Sequence, residues 1–288
     1  MSGSVIVGYD GSEGSALALQ WAATTAAQRG RTLKVVTTWS MPPADLGMGA
    51  SALVQQDLVD ELRKEAQAAN DEGLVAAAQL GANAVGEVIA GRPASVMVHL
   101  SEDAEMAVVG SHGSGGLTGF LLGSVSRQIA THASCPTVVV RPVAADAVDM
   151  VVGVDGSAHS LKALRWAFEQ ASFTGLSLHV LHSWEIPPTW SMVEVPSYEP
   201  EVLIRDYGNA ELRDTSEAMA GFRGDFPDVK VRQEVMKGSP VKALVKASEH
   251  AQLVVVGSRG LGGFRGLLLG SVSHAVVHKA ACPVAVVP

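Results

Sequence analysis

Two glycine-rich stretches, offset by 147 positions (110 to 257), hold the residue types from which a binding site can be built. The first runs Val108-Val109-Gly110-Ser111-His112-Gly113, continues through Ser114, Gly115 and Gly116, and ends in Leu122-Gly123-Ser124-Val125-Ser126. The second runs Val255-Val256-Gly257-Ser258-Arg259-Gly260, continues through Leu261, Gly262 and Gly263, and ends in Leu269-Gly270-Ser271-Val272-Ser273. In both, the spacing is Gly, two residues, Gly, nine residues, Gly-Ser. The apolar, β-branched lead-in predicts the end of a buried strand, and the Gly-Ser predicts the start of a helix, over 125–132 and 272–279. Glycines at a strand's C-terminal end, facing a helix N-terminus, make a phosphate cradle: backbone N–H groups approach without a Cβ in the way, and the helix end adds partial positive charge. No Gly-Lys-Ser/Thr follows, so this is not a P-loop. The positive charge must come from N–H groups, the helix end and a metal ion. The competing reading is that the glycines serve only tight turns and close helix–strand packing. That leaves the repeated Ser after the third glycine unexplained.

Asp10 and Asp155 end the first predicted strand of each half, in Val7-Gly8-Tyr9-Asp10-Gly11-Ser12 and Val152-Gly153-Val154-Asp155-Gly156-Ser157. In open α/β sheets ligands bind beyond the strand C-termini, where strand order reverses. A carboxylate there accepts from a ribose hydroxyl or base amine, or shares a metal with phosphates; the bland alternative is an Asx turn or helix cap. Gly8 and Gly153, inside the strand, mark a close approach by a nucleotide or by a neighbouring helix. His112 and Arg259 occupy matching places in the glycine-rich loops, and either can lean on a phosphate. Because the type changes between copies, neither is assigned acid–base work. His274 and His278, four residues apart, lack an evident third metal ligand and read as a solvated helix face. No catalytic residue and no protein-borne metal site is assigned.

These residues need a scaffold, and the chain has the composition for one. Its 288 residues suggest two domains, with 47% hydrophobic and 17% charged residues to build cores. The net charge of −8 argues against a nucleic-acid partner. Cys135 and Cys282 sit at matching places before Pro and a run of valines, which suits two buried thiols in a reducing compartment better than a disulfide. The N-terminus lacks the pattern of a signal peptide, and no apolar run is long enough to span a bilayer. The expectation is a cytoplasmic protein with no membrane partner.

Apolar runs alternate with amphipathic ones. Strands are expected near 5–8, 33–39, 84–90, 104–109 and 137–141. Helices are expected near 15–29 (with Leu17, Trp21 and Ala22 on one face), 53–80 (broken or weakened near Gly73) and from Pro93 to about Glu102. Residues 142–149 form a linker, after which the pattern repeats: Trp21 returns as Trp166, Trp39 as Trp184 and Pro42-Pro43 as Pro187-Pro188. Strand–helix alternation gives parallel sheets. The fold class is therefore α/β, two tandem doubly wound five-stranded parallel-sheet (Rossmann-like) domains at 1–142 and 149–288. Their apolar last strands are expected to pair with each other, giving an internal pseudo-dimer. The irregular stretches holding Met41 and Met48, and Trp190, Met192 and Tyr198, read as lids or contact surfaces.

At the Val7-to-Ser12 and Val152-to-Ser157 segments and the two Gly-x2-Gly-x9-Gly-Ser motifs, the chain resembles the universal stress protein family in its tandem two-domain form. The resemblance covers nearly the whole chain. That family divides into members that bind ATP and members that do not, and the glycine motif marks the binders, so the resemblance implies two ATP sites, with Mg2+ accompanying the phosphates. It further implies that Asp10 contacts the adenosine, that Gly110, Gly113, Gly123, Ser124 and Val125 hold ribose and phosphates, and that Asp155, Gly257, Gly260, Gly270, Ser271 and Val272 do so in the second half. The adenine would bond to main chain near Trp39 and Trp184. The expected function is an adenine-nucleotide-binding regulatory protein of the stress response. It would act through nucleotide-dependent conformation, on a protein partner the residues do not name or by homo-oligomerisation. A slow ATPase or autokinase is the alternative. It is disfavoured because Asp10 and Asp155 are the only repeated carboxylates at this end and are assigned to the adenosine side. A scaffold that keeps nucleotide only for stability is a third reading.

Overall fold

The computed structural model describes residues 3–41, 52–113, 122–185, 200–261 and 268–288. The chain divides into two compact units, Met1–Arg141 and Pro142–Pro288. Unit 1 runs β1 (Ser4–Gly8), α1 (Glu13–Arg29), β2 (Leu33–Trp39), α2 (Ala52–Gln79), β3 (Ala84–Ala90), α3 (Pro93–Leu100), β4 (Ala104–Gly110), α4 (Ser124–His132) and β5 (Thr137–Val140). Unit 2 repeats it with β6 (Asp149–Val154), α5 (Ala158–Thr174), β7 (Ser177–Trp184), α6 (Pro200–Asp225), β8 (Val231–Lys237), α7 (Pro240–Ala247), β9 (Ala251–Gly257), α8 (Ser271–Lys279) and β10 (Val284–Val287).

Every strand pair within a unit is parallel, in the order β3-β2-β1-β4-β5 in unit 1 and β10-β9-β6-β7-β8 in unit 2. The first strand of each unit thus lies between the second and the fourth, so the order reverses beside it and a crevice opens beyond its C-terminal end. The central strands are buried on both faces and therefore read as unbroken apolar runs: Val5, Ile6 and Val7 in β1, and Val254, Val255 and Val256 in β9, are all 3% exposed or less.

The helices follow their caps. Ser12 and Ser157 are N-caps whose side chains accept from the Ser15 and Ser160 N–H groups, and Gly30 (φ 60°) and Gly175 (φ 71°) end α1 and α5 in the left-handed conformation. Two expectations are corrected. The buried face of α1 is formed by Ala18, Leu19, Ala22, Ala23 and Ala26, while Leu17 and Trp21 are only half-buried. Small residues let this helix lie close on the sheet, and the large ones flank the seam. α2 passes through Gly73 without a break, and a Cβ at that position would stand 3.0 Å from the Tyr9 ring and 3.2 Å from Val35. The glycine serves close helix–sheet packing rather than ending the helix.

Candidate functional site

The Asp-Gly-Ser turn after the first strand has the same main-chain frame in the two units, but the Ser12 hydroxyl donates to Asp10 Oδ1 (2.6 Å) and the Ser157 hydroxyl to the Arg259 carbonyl (3.4 Å). Asp10 Oδ1 accepts from the Ser12 N–H (3.1 Å) and Asp155 Oδ1 from the Ser157 N–H (3.0 Å). Gly11 (φ 76°) and Gly156 (φ 79°) take the left-handed conformation the turn requires. The Asp10 and Asp155 N–H groups each donate to a serine hydroxyl one turn into the helix, Ser15 Oγ and Ser160 Oγ, both at 3.3 Å. Each aspartate is therefore an Asx turn, and it also reaches the glycine-rich loop. Leu261 N–H donates to Asp155 Oδ2 (3.0 Å), and a Cβ on Gly113 would stand 2.8 Å from Asp10 Oδ2. A Cβ on Gly260 would likewise run into Asp155 Oδ2. Burial would raise the Asp155 carboxyl. The hydrogen bonds from Ser157, Leu261 and Ser160 outweigh it and hold the group below its ordinary value. Asp155 is thus an anchored anion at neutral pH.

The other glycines answer to different neighbours. A Cβ on Gly110 would collide with the Gly14 main chain of α1, and one on Gly257 would lie 2.7 Å from the His159 carbonyl carbon of α5. These two positions are packing requirements between β4 and α1, and between β9 and α5. A Cβ on Gly8 would stand 3.6–3.8 Å from Val109 and Met97, and one on Gly153 would stand 3.0 Å from Leu244. The neighbours at these strand glycines are protein side chains, from β4 and α3 at Gly8 and from α7 at Gly153.

The two ends of each loop are pinned together. Ser111 and Ser258 N–H groups donate to Val140 and Val287, and Gly123 and Gly270 N–H groups donate to the Ser111 and Ser258 carbonyls (2.8 and 2.7 Å). Ser126 Oγ donates to the Gly110 carbonyl (2.6 Å) and Ser273 Oγ to the Gly257 carbonyl (2.5 Å). Those two serines fasten the helix start to the strand end, and their hydroxyl protons are not free for a ligand. Ser111 Oγ lies 2.9 Å from His112 Nδ1. The helices that begin here differ from α1 and α5 in one respect. Gly123 and Gly270 cap α4 and α8 with no side-chain hydrogen bond, so the first-turn N–H groups have no serine over them. Ser124 and Ser271 in that turn are exposed.

In unit 2 these parts surround a cavity of about 220 Å3. Its apolar wall is Val154, Leu181, Leu244 and Val256, and its polar rim includes Asp155, Ser183, Arg259, Gly260, Gly270, Ser271 and Val272. Sequence reasoning brought Asp155, the glycines and the Gly-Ser-Val start of α8 to one place. It missed Ser160, Leu181, Ser183, Pro240 and Leu244. Their unit 1 counterparts are Ser15, Val36, Thr38, Pro93 and Met97, and only Ser160 and Pro240 repeat in type, so the duplication signalled those two and not the wall residues. Ser114, Gly115, Gly116, Gly262 and Gly263, and the lid candidates Met48, Trp190, Met192 and Tyr198, lie outside the described residues.

The profile of the universal stress protein family matches residues 1–141 and again residues 149–288. The chain belongs to this family. Universal stress protein Rv2005c of Mycobacterium tuberculosis is 38% identical over 294 residues, covering 98% of this chain and 96% of the relative. Universal stress protein Rv1996 of the same organism is 34% identical over 314 residues, covering 98% and 94%. Among solved structures, a universal stress protein from Archaeoglobus fulgidus aligns over 100% of this chain and 98% of its own, with a TM-score of 0.73 at 23% identity. That likeness concerns the tandem fold. Among the described residues no helix is long and apolar enough to cross a membrane.

Proposed function

We propose that this universal stress protein binds one adenine nucleotide in each unit, ATP with Mg2+, and that occupancy regulates partner contacts or assembly. The observation that supports this reading is the contrast between helix N-termini. Ser12 and Ser157 close α1 and α5, whereas α4 and α8 begin beside the crevice without a capping side chain. An anion there meets unpaired donors and the positive end of the helix. The unit 2 cavity is below the roughly 300–1,000 Å3 of pockets that enclose whole drug-sized ligands. It suits a base and ribose against Val154, Leu181 and Leu244, with the phosphates at the rim beside Gly260, Gly270 and Ser271. Asp10 and Asp155 serve as acceptors for ribose hydroxyls.

Mg2+ would ride on the phosphates. Among the described residues no group of three or more His, Cys, Asp or Glu stands ready for an ion, and Mg2+ keeps water and phosphate oxygens as ligands when few carboxylates are offered. The residues fit a held nucleotide better than a turned-over one. Asp10 and Asp155 are engaged by Ser12 and Ser157, which leaves them poor bases for water.

The test is to denature the purified protein and separate the released small molecules against nucleotide standards. ATP at one equivalent per unit is expected. ADP in its place would favour hydrolysis, and no nucleotide, with no calorimetric binding of ATP and magnesium, would remove the reading.

A further inference from the structure

We propose that the two nucleotide sites are unequal, and that the second unit holds the one selective for a polyphosphate tail through Arg259 and the first turn of α5. The inference rests on the nucleotide-binding reading and goes beyond it by assigning ligand class to each site. The scaffold residues of the two sites match; the charges around the phosphate end do not. Unit 1 has His112 in its loop and Glu13, Gly14 and Leu17 in the first turns of α1. At the same places unit 2 has Arg259, then Ala158, His159 and Lys162. With histidines neutral, these positions sum to one negative charge in unit 1 and two positive charges in unit 2. Asp10 and Asp155 are common to both and cancel in the comparison.

The unit 2 residues form a cluster. Arg259 Nη2 lies 2.9 Å from His159 Nε2, and Arg259 lines the cavity with Gly260 and Ser271. Burial, Arg259 and Lys162, in that order, push His159 below its ordinary value, against a smaller pull from Asp155. His159 is therefore a neutral acceptor that steers the guanidinium. Lys162 Nζ rests on the Pro288 main-chain oxygen (3.2 Å) and does not line the cavity. A guanidinium has further N–H donors in a planar fork suited to phosphate oxygens, and charge-assisted bonds of this kind strengthen with the charge on the tail. A monophosphate or cyclic phosphate gains less from it. Unit 1 has an exposed Glu13 at the start of α1 and no guanidinium in its glycine-rich loop; its exposed Arg127, where α8 has His274, stands past the first three residues of α4.

The experiment uses the full chain with one site blocked at a time. Gly113→Val blocks unit 1 and Gly260→Val blocks unit 2, since each side chain would displace the adjoining aspartate. Calorimetric titration with ATP, ADP and AMP should give an ATP-over-AMP preference at least about tenfold larger for the Gly113→Val chain than for the Gly260→Val chain. Arg259→His in the Gly113→Val background should bring that preference down to the unit 1 level, and Arg259→Lys should retain part of it. Circular dichroism and urea midpoints confirm that each variant is folded. Equal preferences in the two blocked chains, or an unchanged ratio in Arg259→His, would overturn the assignment while leaving nucleotide binding intact. A wild-type chain that binds none of the three nucleotides would instead remove the underlying reading.

Discussion

Glycines that look alike in the motif do different jobs, and substitution separates them. Gly113 and Gly260 each stand against an aspartate carboxylate. Alanine there should displace Asp10 or Asp155 and release bound nucleotide while shifting the urea midpoint by less than about 1 kcal/mol of stability, because both positions lie in exposed loops. Gly110 and Gly257 stand against helix main chain, where nothing can rotate away. Alanine there should destabilise its unit by about 1–3 kcal/mol, read by urea denaturation, whether or not nucleotide is present. If all four behave alike, the distinction between binding glycines and packing glycines fails. A second residue-scale test concerns Ser273. Its hydroxyl fastens α8 to β9, so Ser273→Ala should cost about 1 kcal/mol of stability. Ser271→Ala, in the exposed first turn, should spare stability and weaken ATP.

At the scale of elements, strand pairs that match in register differ in chemistry. Lys34 on β2 pairs with Glu87 on β3 (3.0 Å), and the corresponding pair in unit 2 is His179 on β7 with Glu234 on β8 (2.9 Å). Burial and the Arg232 guanidinium beside it hold His179 below its ordinary value. A histidine held neutral in the folded state contributes stability that is present above about pH 6.5, its unfolded value, and is lost as pH falls toward the lower folded value. Acidification from about pH 7 to about pH 5 should therefore lower the urea midpoint of unit 2 more than that of unit 1. His179→Lys, which copies the unit 1 arrangement, should flatten that dependence. An unchanged pH profile in the variant would show that the loss arises elsewhere.

The order of elements was legible because buried parallel strands such as Val254–Val256 read as unbroken β-branched runs, and because Ser12, Gly30, Ser157 and Gly175 are caps with known chemistry. The inner face of α1 was misjudged. Hydrophobicity pointed to Leu17 and Trp21, whereas the seam against the sheet selects alanine for closeness. Gly73 was misread for the same reason: propensity describes an isolated helix, and the Tyr9 ring lies outside that description. Within the site, Asp155 and the Gly-Ser-Val starts were legible from spacing. Leu181, Ser183 and Leu244 were not, since a wall residue has no motif and becomes visible only when three elements are brought together.

At the scale of the whole molecule, duplication has kept the scaffold and varied the edges. The family profile matches both halves, and the main-chain frame of the first-strand turn, the loop pinning and the open helix starts recur in both. The charge around the glycine-rich loop and the cross-strand histidine do not. The duplication also leaves each unit with its own sealed thiol. Cys135 is 6% exposed and Cys282 1%, and neither is in a disulfide; burial pushes the Cys135 thiol up to about 12. Neither should react with Ellman's reagent at about pH 8 in the native state, and both should react in denaturant. Two sulfurs walled in separately are two stopwatches in one chain. The rate at which each takes up label in mild urea times how often its own unit breathes open, so a nucleotide that slows one clock and not the other would reveal which unit it has closed.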